Sequence, residues 1–219
     1  LGDGMADYPI AELGNRTPLE AAKTPHFDAL AKKSEIGLVK TVPDGMKPGS
    51  DVANLSVLGY DPAVYYSGRS PLEAASIGIP LKDTDVTFRA NLVTLGGGED
   101  FEDAVMLDYS AGEISTAEAK ELISFLAEKL DAENSKLYAG VSYRHCLVLA
   151  EGSVQTELTP PHDITGRPVR GYLPQGEGAR FLLSLMEKSR KLLKDHPVNR
   201  AREAANMHAD PPLQLGDSP

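Results

Sequence analysis

Tryptophan is absent from this sequence, and cysteine occurs once, at position 146. A single cysteine excludes an internal disulfide framework and fits a reducing cytoplasm. Cys146 sits in the apolar run Cys-Leu-Val-Leu-Ala. It is expected to be a small buried hydrophobe rather than a reactive thiol. Long apolar stretches are missing too: none could span a bilayer, and no signal peptide is recognisable. Basic residues are few beside acidic ones, 22 against 32, which leaves a formal charge of -10. That balance argues against a nucleic-acid or anionic-membrane surface, because phosphate backbones bind through Lys and Arg. Small anions stay possible, since a few arginines or a metal ion can hold a phosphate inside an acidic protein.

What is present reads as an ordinary globular chain, 41% hydrophobic and 25% charged over 219 residues. The chain opens on Leu1-Gly2-Asp3-Gly4, with neither an initiating Met nor a preceding strand. In an α/β protein that wording belongs at the end of a first strand, where ligands gather. Thr17-Pro18-Leu19-Glu20 and Ser70-Pro71-Leu72-Glu73 each offer a capping hydroxyl, a proline for the first helical position and a following Glu. Thr24-Pro25 opens another short helix. Ser115-Thr116-Ala117-Glu118 is a capping box before the stripe Ala119, Leu122, Ile123, Leu126 and Leu130. A further helix is expected after Gly178, with Leu182, Leu185, Met186 and Leu193 on one face.

Strands are expected over residues 36–40, 85–95, 101–107 and 142–150, with Gly96-Gly97-Gly98 as a hairpin turn between the second and third. Helices and strands alternate early, and a strand-rich stretch follows from about residue 85 to 159. The shift suggests a second module inserted into an α/β frame. The expected divisions are residues 1–80 for the frame, 81–175 for the insert, 176–207 for a helix returning to the frame, and 208–219 for a loose tail.

Two residues could carry chemistry. In Pro48-Gly49-Ser50-Asp51-Val52-Ala53-Asn54-Leu55-Ser56-Val57-Leu58-Gly59 the turn places Ser50 at a helix N-terminus, as a cap. The same position puts its hydroxyl in a positive dipole beside backbone amides able to hold a phosphate. A metal bound to that oxygen would make it a nucleophile. Asp3, between two glycines, is either a turn former or a carboxylate presented to a metal.

Taken together, these segments resemble one family. The matching wording is Leu1-Gly2-Asp3-Gly4-Met5-Ala6-Asp7, Thr17-Pro18-Leu19-Glu20-Ala21-Ala22, the Ser50 segment, and Tyr65-Tyr66-Ser67-Gly68-Arg69-Ser70-Pro71-Leu72-Glu73-Ala74-Ala75-Ser76. It continues in Phe88-Arg89-Ala90-Asn91-Leu92-Val93-Thr94, Asp108-Tyr109-Ser110-Ala111-Gly112, Gly140-Val141-Ser142-Tyr143-Arg144-His145, Thr159-Pro160-Pro161-His162-Asp163 and His196-Pro197-Val198-Asn199. The chain resembles the archaeal-type cofactor-independent phosphoglycerate mutases of the alkaline phosphatase superfamily, which include a bacterial branch proposed to be homoserine kinases.

The resemblance implies an α/β fold: a partial alkaline-phosphatase-like core with an inserted α+β lid domain. It implies a cytoplasmic glycolytic isomerase that interconverts 3- and 2-phosphoglycerate through a phosphoserine. Two divalent metal ions (Mn, Zn or Mg) would serve it, without bisphosphoglycerate. It implies that Asp3 is a metal ligand and that Ser50 is both metal ligand and phosphoryl acceptor. The insert would close a dry site over the substrate. Arg89, Asn91, Arg144, His145, His162 and Asp163 would grip its carboxylate or phosphate there, with Arg69 on the frame side.

The departures matter as well. Family members are roughly twice this length, and their second half carries Asp-Glu-x-x-His and Asp-His motifs that are missing here. Past Asn206 only His208, Asp210 and Asp217 offer ligands, and the family's Thr-Pro-Asn reads Thr24-Pro25-His26. The expectation is therefore an N-terminal portion, unable to turn over alone. The alternatives are a homoserine-directed phosphotransferase on the same scaffold and a non-catalytic fragment.

Overall fold

The structure, a computed structural model, describes residues 5–98, 100–205 and 213–216. The chain divides into two compact units, Leu1–Tyr66 and Ser67–Pro219. In the first unit the described elements are short helices: α1 (Pro18–Ala21), α2 (Pro25–Ala31), α3 (Ser50–Val57) and α4 (Pro62–Tyr65). The Thr17 hydroxyl accepts from the Glu20 amide while the Glu20 carboxylate accepts from the Thr17 amide, the expected capping box at the head of α1. Residues 36–40, expected as a strand, carry no regular secondary structure and join no sheet among the described residues. The side chains of Ile36, Leu38 and Val39 stand exposed there.

The second unit opens with α5 (Arg69–Ser76) and β1 (Val86–Leu92), followed by the β2 (Thr94–Gly96) and β3 (Val105–Asp108) hairpin. Then come α6 (Thr116–Leu130), β4 (Ser135–Val141), β5 (Arg144–Leu149), β6 (Thr156–Glu157) and β7 (Gln175–Gly176). The last elements are α7 (Ala179–Leu193), α8 (Pro197–Ala204) and β8 (Leu213–Gly216). The main sheet has the order β4-β5-β1-β8 and is antiparallel throughout.

Strand alternation divides this sheet into two unlike faces. Phe88, Ala90 and Leu92 of β1, with Leu147 of β5 and Leu213 and Leu215 of β8, enter the main core. There they meet Leu122, Ile123 and Leu126 of α6 and Leu182, Met186 and Leu193 of α7. The opposite face carries Thr87, Arg89 and Asn91, paired across from Val148, Cys146 and Arg144. Ala74 of α5 packs there with Cys146 and Val148.

The hairpin turn at Gly96–Gly98 is as expected, with Gly97 and Gly98 at φ 68° and 69°. Other expectations change. The run 85–95 breaks at Val93, so β2 pairs with β3 rather than extending β1. Strand β4 was not foreseen: its turn into β5 uses Ser142 at φ 53°, without the Asn-Gly or Asp-Gly pair that flags a hairpin. Helix α7, expected to return to the frame, buries its apolar stripe in this unit's own core. Residues 213–216, expected as loose tail, form β8, because Leu213 and Leu215 alternate into that core.

Among the described residues no helix is long and apolar enough to cross a membrane.

Candidate functional site

Ser50 lies in the first turn of α3, but it does not cap the helix. Gly49 holds the N-cap position with extended backbone and makes no side-chain cap bond. The Ser50 hydroxyl is exposed and has no hydrogen-bond partner among the described residues. First-turn amides lack intrahelical acceptors, so an anion is favoured beside them. Asp51 competes for that place: its Oδ1 accepts from the Val52 amide at 3.0 Å and its Oδ2 accepts from the Tyr66 hydroxyl at 2.5 Å. A Cβ at position 49 would meet the same carboxylate, so a side chain there would have to displace Asp51.

The lid candidates lie in the second unit. Arg89 and Asn91, two apart on β1, share the face beneath α5, and Asn91 is opposite Arg144 in register. Arg69 begins α5 and reaches Glu73 at 3.5 Å; Arg89 Nη1 reaches the same carboxylate at 3.6 Å. Glu73 therefore anchors two of the expected arginines, a role that its place in a helix-start motif did not reveal. Its spacing of four from Arg69 was the available cue. The Asn91 Oδ1 is buried without a hydrogen-bond partner.

Arg144 is exposed, with its guanidinium 4.8 Å from the centre of the Tyr143 ring. Tyr143 meets Tyr109 edge-on at 5.9 Å, and Tyr109 meets the His162 ring at 6.1 Å. Two tyrosines not counted among the candidates thus join Arg144 to His162. His162 in turn has Nε2 3.4 Å from Asp163, and both side chains are half-exposed.

His145 is far more enclosed than Arg144. It pairs with Ala90, so its side chain takes the core face of the sheet, opposite to Arg144. It is 3% exposed. Its Nδ1 accepts from the Gly140 amide at 3.1 Å, and its Nε2 is buried without a partner. Burial pushes the imidazole down to about 3, so it is neutral at physiological pH. Burial likewise pushes the Cys146 thiol up to about 12, which makes it the inert hydrophobe expected.

Two hollows of this unit bear on the search for a site. The larger, about 770 Å³, lies between the glycine hairpin and α7 and holds none of the expected residues. Its Arg170 is engaged by Asp103 and Glu102, and Arg190 donates to the Gly97 and Gly98 carbonyls. The smaller, about 190 Å³, is lined by Glu73, Ser76, Ile77, Gly140, Val141, Arg144, His145 and Cys146. Of the expected residues it holds Arg144 and His145.

The expected metal centre is not assembled from the described residues. Among them no three His, Cys, Asp or Glu groups converge as ligands would. Asp3 lies outside the described residues, as do His208, Asp210 and Asp217. Ser50 is left as the one expected ligand, too few for a tight divalent site.

Residues 31–199 match the sequence model of the 2,3-bisphosphoglycerate-independent phosphoglycerate mutases. The chain is 54% identical over 203 residues to a curated protein of that name from Methanosarcina mazei, covering 92% of this chain and 50% of the relative. A second, from Methanosarcina acetivorans, is 52% identical over 209 residues, with 94% and 51% covered. The solved cofactor-independent phosphoglycerate mutase from Thermoplasma acidophilum superposes with a TM-score of 0.59 at 30% identity, covering 98% of this chain and 57% of its own. The chain spans about half the length of the curated relatives it matches.

Proposed function

Since the chain belongs to the 2,3-bisphosphoglycerate-independent phosphoglycerate mutase family, we propose that it forms the serine-bearing part of an enzyme exchanging the phosphoryl group between the 3- and 2-hydroxyls of glycerate. The observation that carries the reading is the Ser50 hydroxyl, exposed in the first turn of α3 with no bond to the helix start. In the first step the Ser50 hydroxyl gives up its proton and its oxygen attacks phosphorus, while the bond from phosphorus to the glycerate 3-oxygen breaks and that oxygen takes up a proton. In the second the 2-hydroxyl gives up its proton and attacks the same phosphorus, the Ser50 O–P bond breaks, and the serine oxygen takes up a proton. No phosphoryl donor beyond the substrate is consumed, so bisphosphoglycerate is not required.

Arg89 and Arg144, with the Asn91 amide, suit the carboxylate and phosphate of such a substrate, and Arg69 adds charge from α5. His162 and Asp163 border this group through Tyr109. Holding phosphoserine away from water is what lets the phosphate return to glycerate instead of being hydrolysed. Divalent ions of the manganese, zinc or magnesium kind belong to this reading as Lewis acids. Their ligands, Ser50 apart, would come from outside the described residues. A cytoplasmic place in glycolysis accompanies the same reading.

The test uses the chain extended by the unmatched half of the Methanosarcina mazei relative, incubated with 3-phosphoglycerate. Peptide mass spectrometry should find phosphate on Ser50, and Ser50→Ala should lower turnover by on the order of a thousandfold or more. Full activity in the Ser50→Ala variant would overturn the assignment. Phosphorylation of homoserine from ATP, with no exchange on phosphoglycerate, would replace the mutase by the kinase reading.

A further inference from the structure

An arginine that awaits an anion must be held without using up the groups that bind it. Arg69 and Arg89 face the Glu73 carboxylate, so part of their charge is already answered. Arg144 differs. It is exposed, and among the described residues its guanidinium makes neither a hydrogen bond nor an ion pair. It lies instead over the Tyr143 ring, 4.8 Å from the ring centre. Such a contact engages the flat face of the guanidinium, whereas the donors lie along its edge and stay free. The ring is itself a fixed platform. Ser142 before it stands at φ 53° and is pinned there: its amide donates to the Thr116 hydroxyl at 3.1 Å, and its hydroxyl donates to the Ile114 carbonyl at 2.8 Å. The Tyr143 carbonyl accepts from the Leu92 amide at 2.9 Å, and the side chain packs against the main core. Tyr109 supports the ring edge-on. Ala111 and Glu113, in the loop leading to Ile114, also have positive φ, 50° and 52°. That backbone region is unfavourable for residues other than glycine, and it is retained where a geometry has to be kept.

We propose that Tyr143 is a positioning residue: it fixes the Arg144 guanidinium with the donor edge free, and the group received there is the carboxylate of the glycerate substrate. The inference rests on the phosphoglycerate mutase reading. In that reaction the phosphoryl group leaves one hydroxyl and arrives at another, while the carboxylate keeps its charge and its bonds through both steps. A planar carboxylate can take two parallel N–H bonds from a guanidinium edge. A grip that does not change between ground state and transition state lowers KM and leaves kcat alone. A mobile arginine loses rotamer freedom when it binds, and one already laid on a ring has less to lose. Tyr143 touches no reacting atom here. Its contribution passes through Arg144.

Two measurements test it. In this chain, nitrogen-edited NMR of the arginine side chains should place the Arg144 Nε proton upfield of that of exposed Arg180, through the ring current of Tyr143. The shift should vanish in Tyr143→Leu and persist in Tyr143→Phe. Its absence from the unsubstituted chain overturns the proposal, whether or not the variants fold. The second measurement is turnover by the chain extended with the unmatched half of the Methanosarcina mazei relative. There Tyr143→Leu should raise KM for 3-phosphoglycerate about fivefold, with kcat kept within about twofold, and Tyr143→Phe should restore KM. In an Arg144→Ala background Tyr143→Leu should add nothing to KM, and full additivity of the two effects overturns the proposal. Competing inhibitors tell which end of the substrate is held. Tyr143→Leu should weaken inhibition by D-glycerate and leave that by inorganic phosphate unchanged; the reverse overturns the carboxylate assignment. An extended but unsubstituted protein without exchange on phosphoglycerate sinks the mutase reading and this inference with it. Normal exchange with an unmoved KM in Tyr143→Leu sinks this inference alone.

Discussion

A neutral imidazole inside a sheet makes folding sensitive to acid. His145 has its proton affinity pushed down to about 3 by burial, against 6.5 for the unperturbed side chain. Between those values the unfolded chain binds a proton that the folded one refuses, so stability falls as pH drops from 6.5 toward 3. Urea unfolding should show a loss of up to about 1.4 kcal/mol per pH unit from this group. In His145→Asn that part of the slope should vanish; an unchanged slope would assign the acid sensitivity to other groups. The neighbouring glycine belongs to the same device. The Gly140 amide donates to His145, and a Cβ at position 140 would strike the Arg144 carbonyl oxygen. The Gly-Val-Ser-Tyr-Arg-His wording thus encodes a tight β4–β5 turn at least as much as a binding site. Asp108 is similar: it accepts from the Ser110 amide and hydroxyl and from the Gly112 amide, and so shapes its own loop.

Helix α8 is fastened by polar groups more than by apolar ones. Arg202 is 2% exposed, donates to the Ala111 carbonyl, and lies 3.3 Å from Glu118 on α6. Removing Arg202 leaves the Ala111 carbonyl without that donor, while Glu118 stays partly in water, so Arg202→Ala should cost about 2 kcal/mol in denaturant unfolding. A loss below about 1 kcal/mol would show that the tie is dispensable. At the other end of α8, His196 accepts from the Val198 amide and Asn199 donates to the Leu193 carbonyl, which turns the His-Pro-Val-Asn wording into the joint after α7. Where local chemistry decides the outcome, the sequence was legible. The Thr17 and Ser115 capping boxes, the glycine hairpin and the α7 stripe all stand as read. Where a distant neighbour decides, it was not. Ser70 was read as a cap but is buried, and Gly68 holds the cap position of α5. Segment 36–40 has strand chemistry and pairs with no strand among the described residues. For the site, residue types were legible but facing was not: Arg144 and His145 part company only once the register with β1 is fixed.

At the scale of the molecule the two units are unequally consolidated. The second has a contiguous core running from α6 through the sheet to α7. In the described part of the first, Val52 is the one buried hydrophobic side chain beside Pro62. Native-state hydrogen exchange should therefore give α3 amides opening free energies several kcal/mol below those of β1. Equal values would mean that the chain unfolds as one cooperative body. The order of strands in the sheet carries a consequence for synthesis. Arg89 of β1 pairs with Gly216 of β8, so two adjacent strands lie far apart in the order of translation. At about 5–20 residues per second the ribosome needs roughly 6–25 s to deliver the second after the first. Throughout that interval β1 has an open edge on the nascent chain, and chaperones have a defined time in which to guard it.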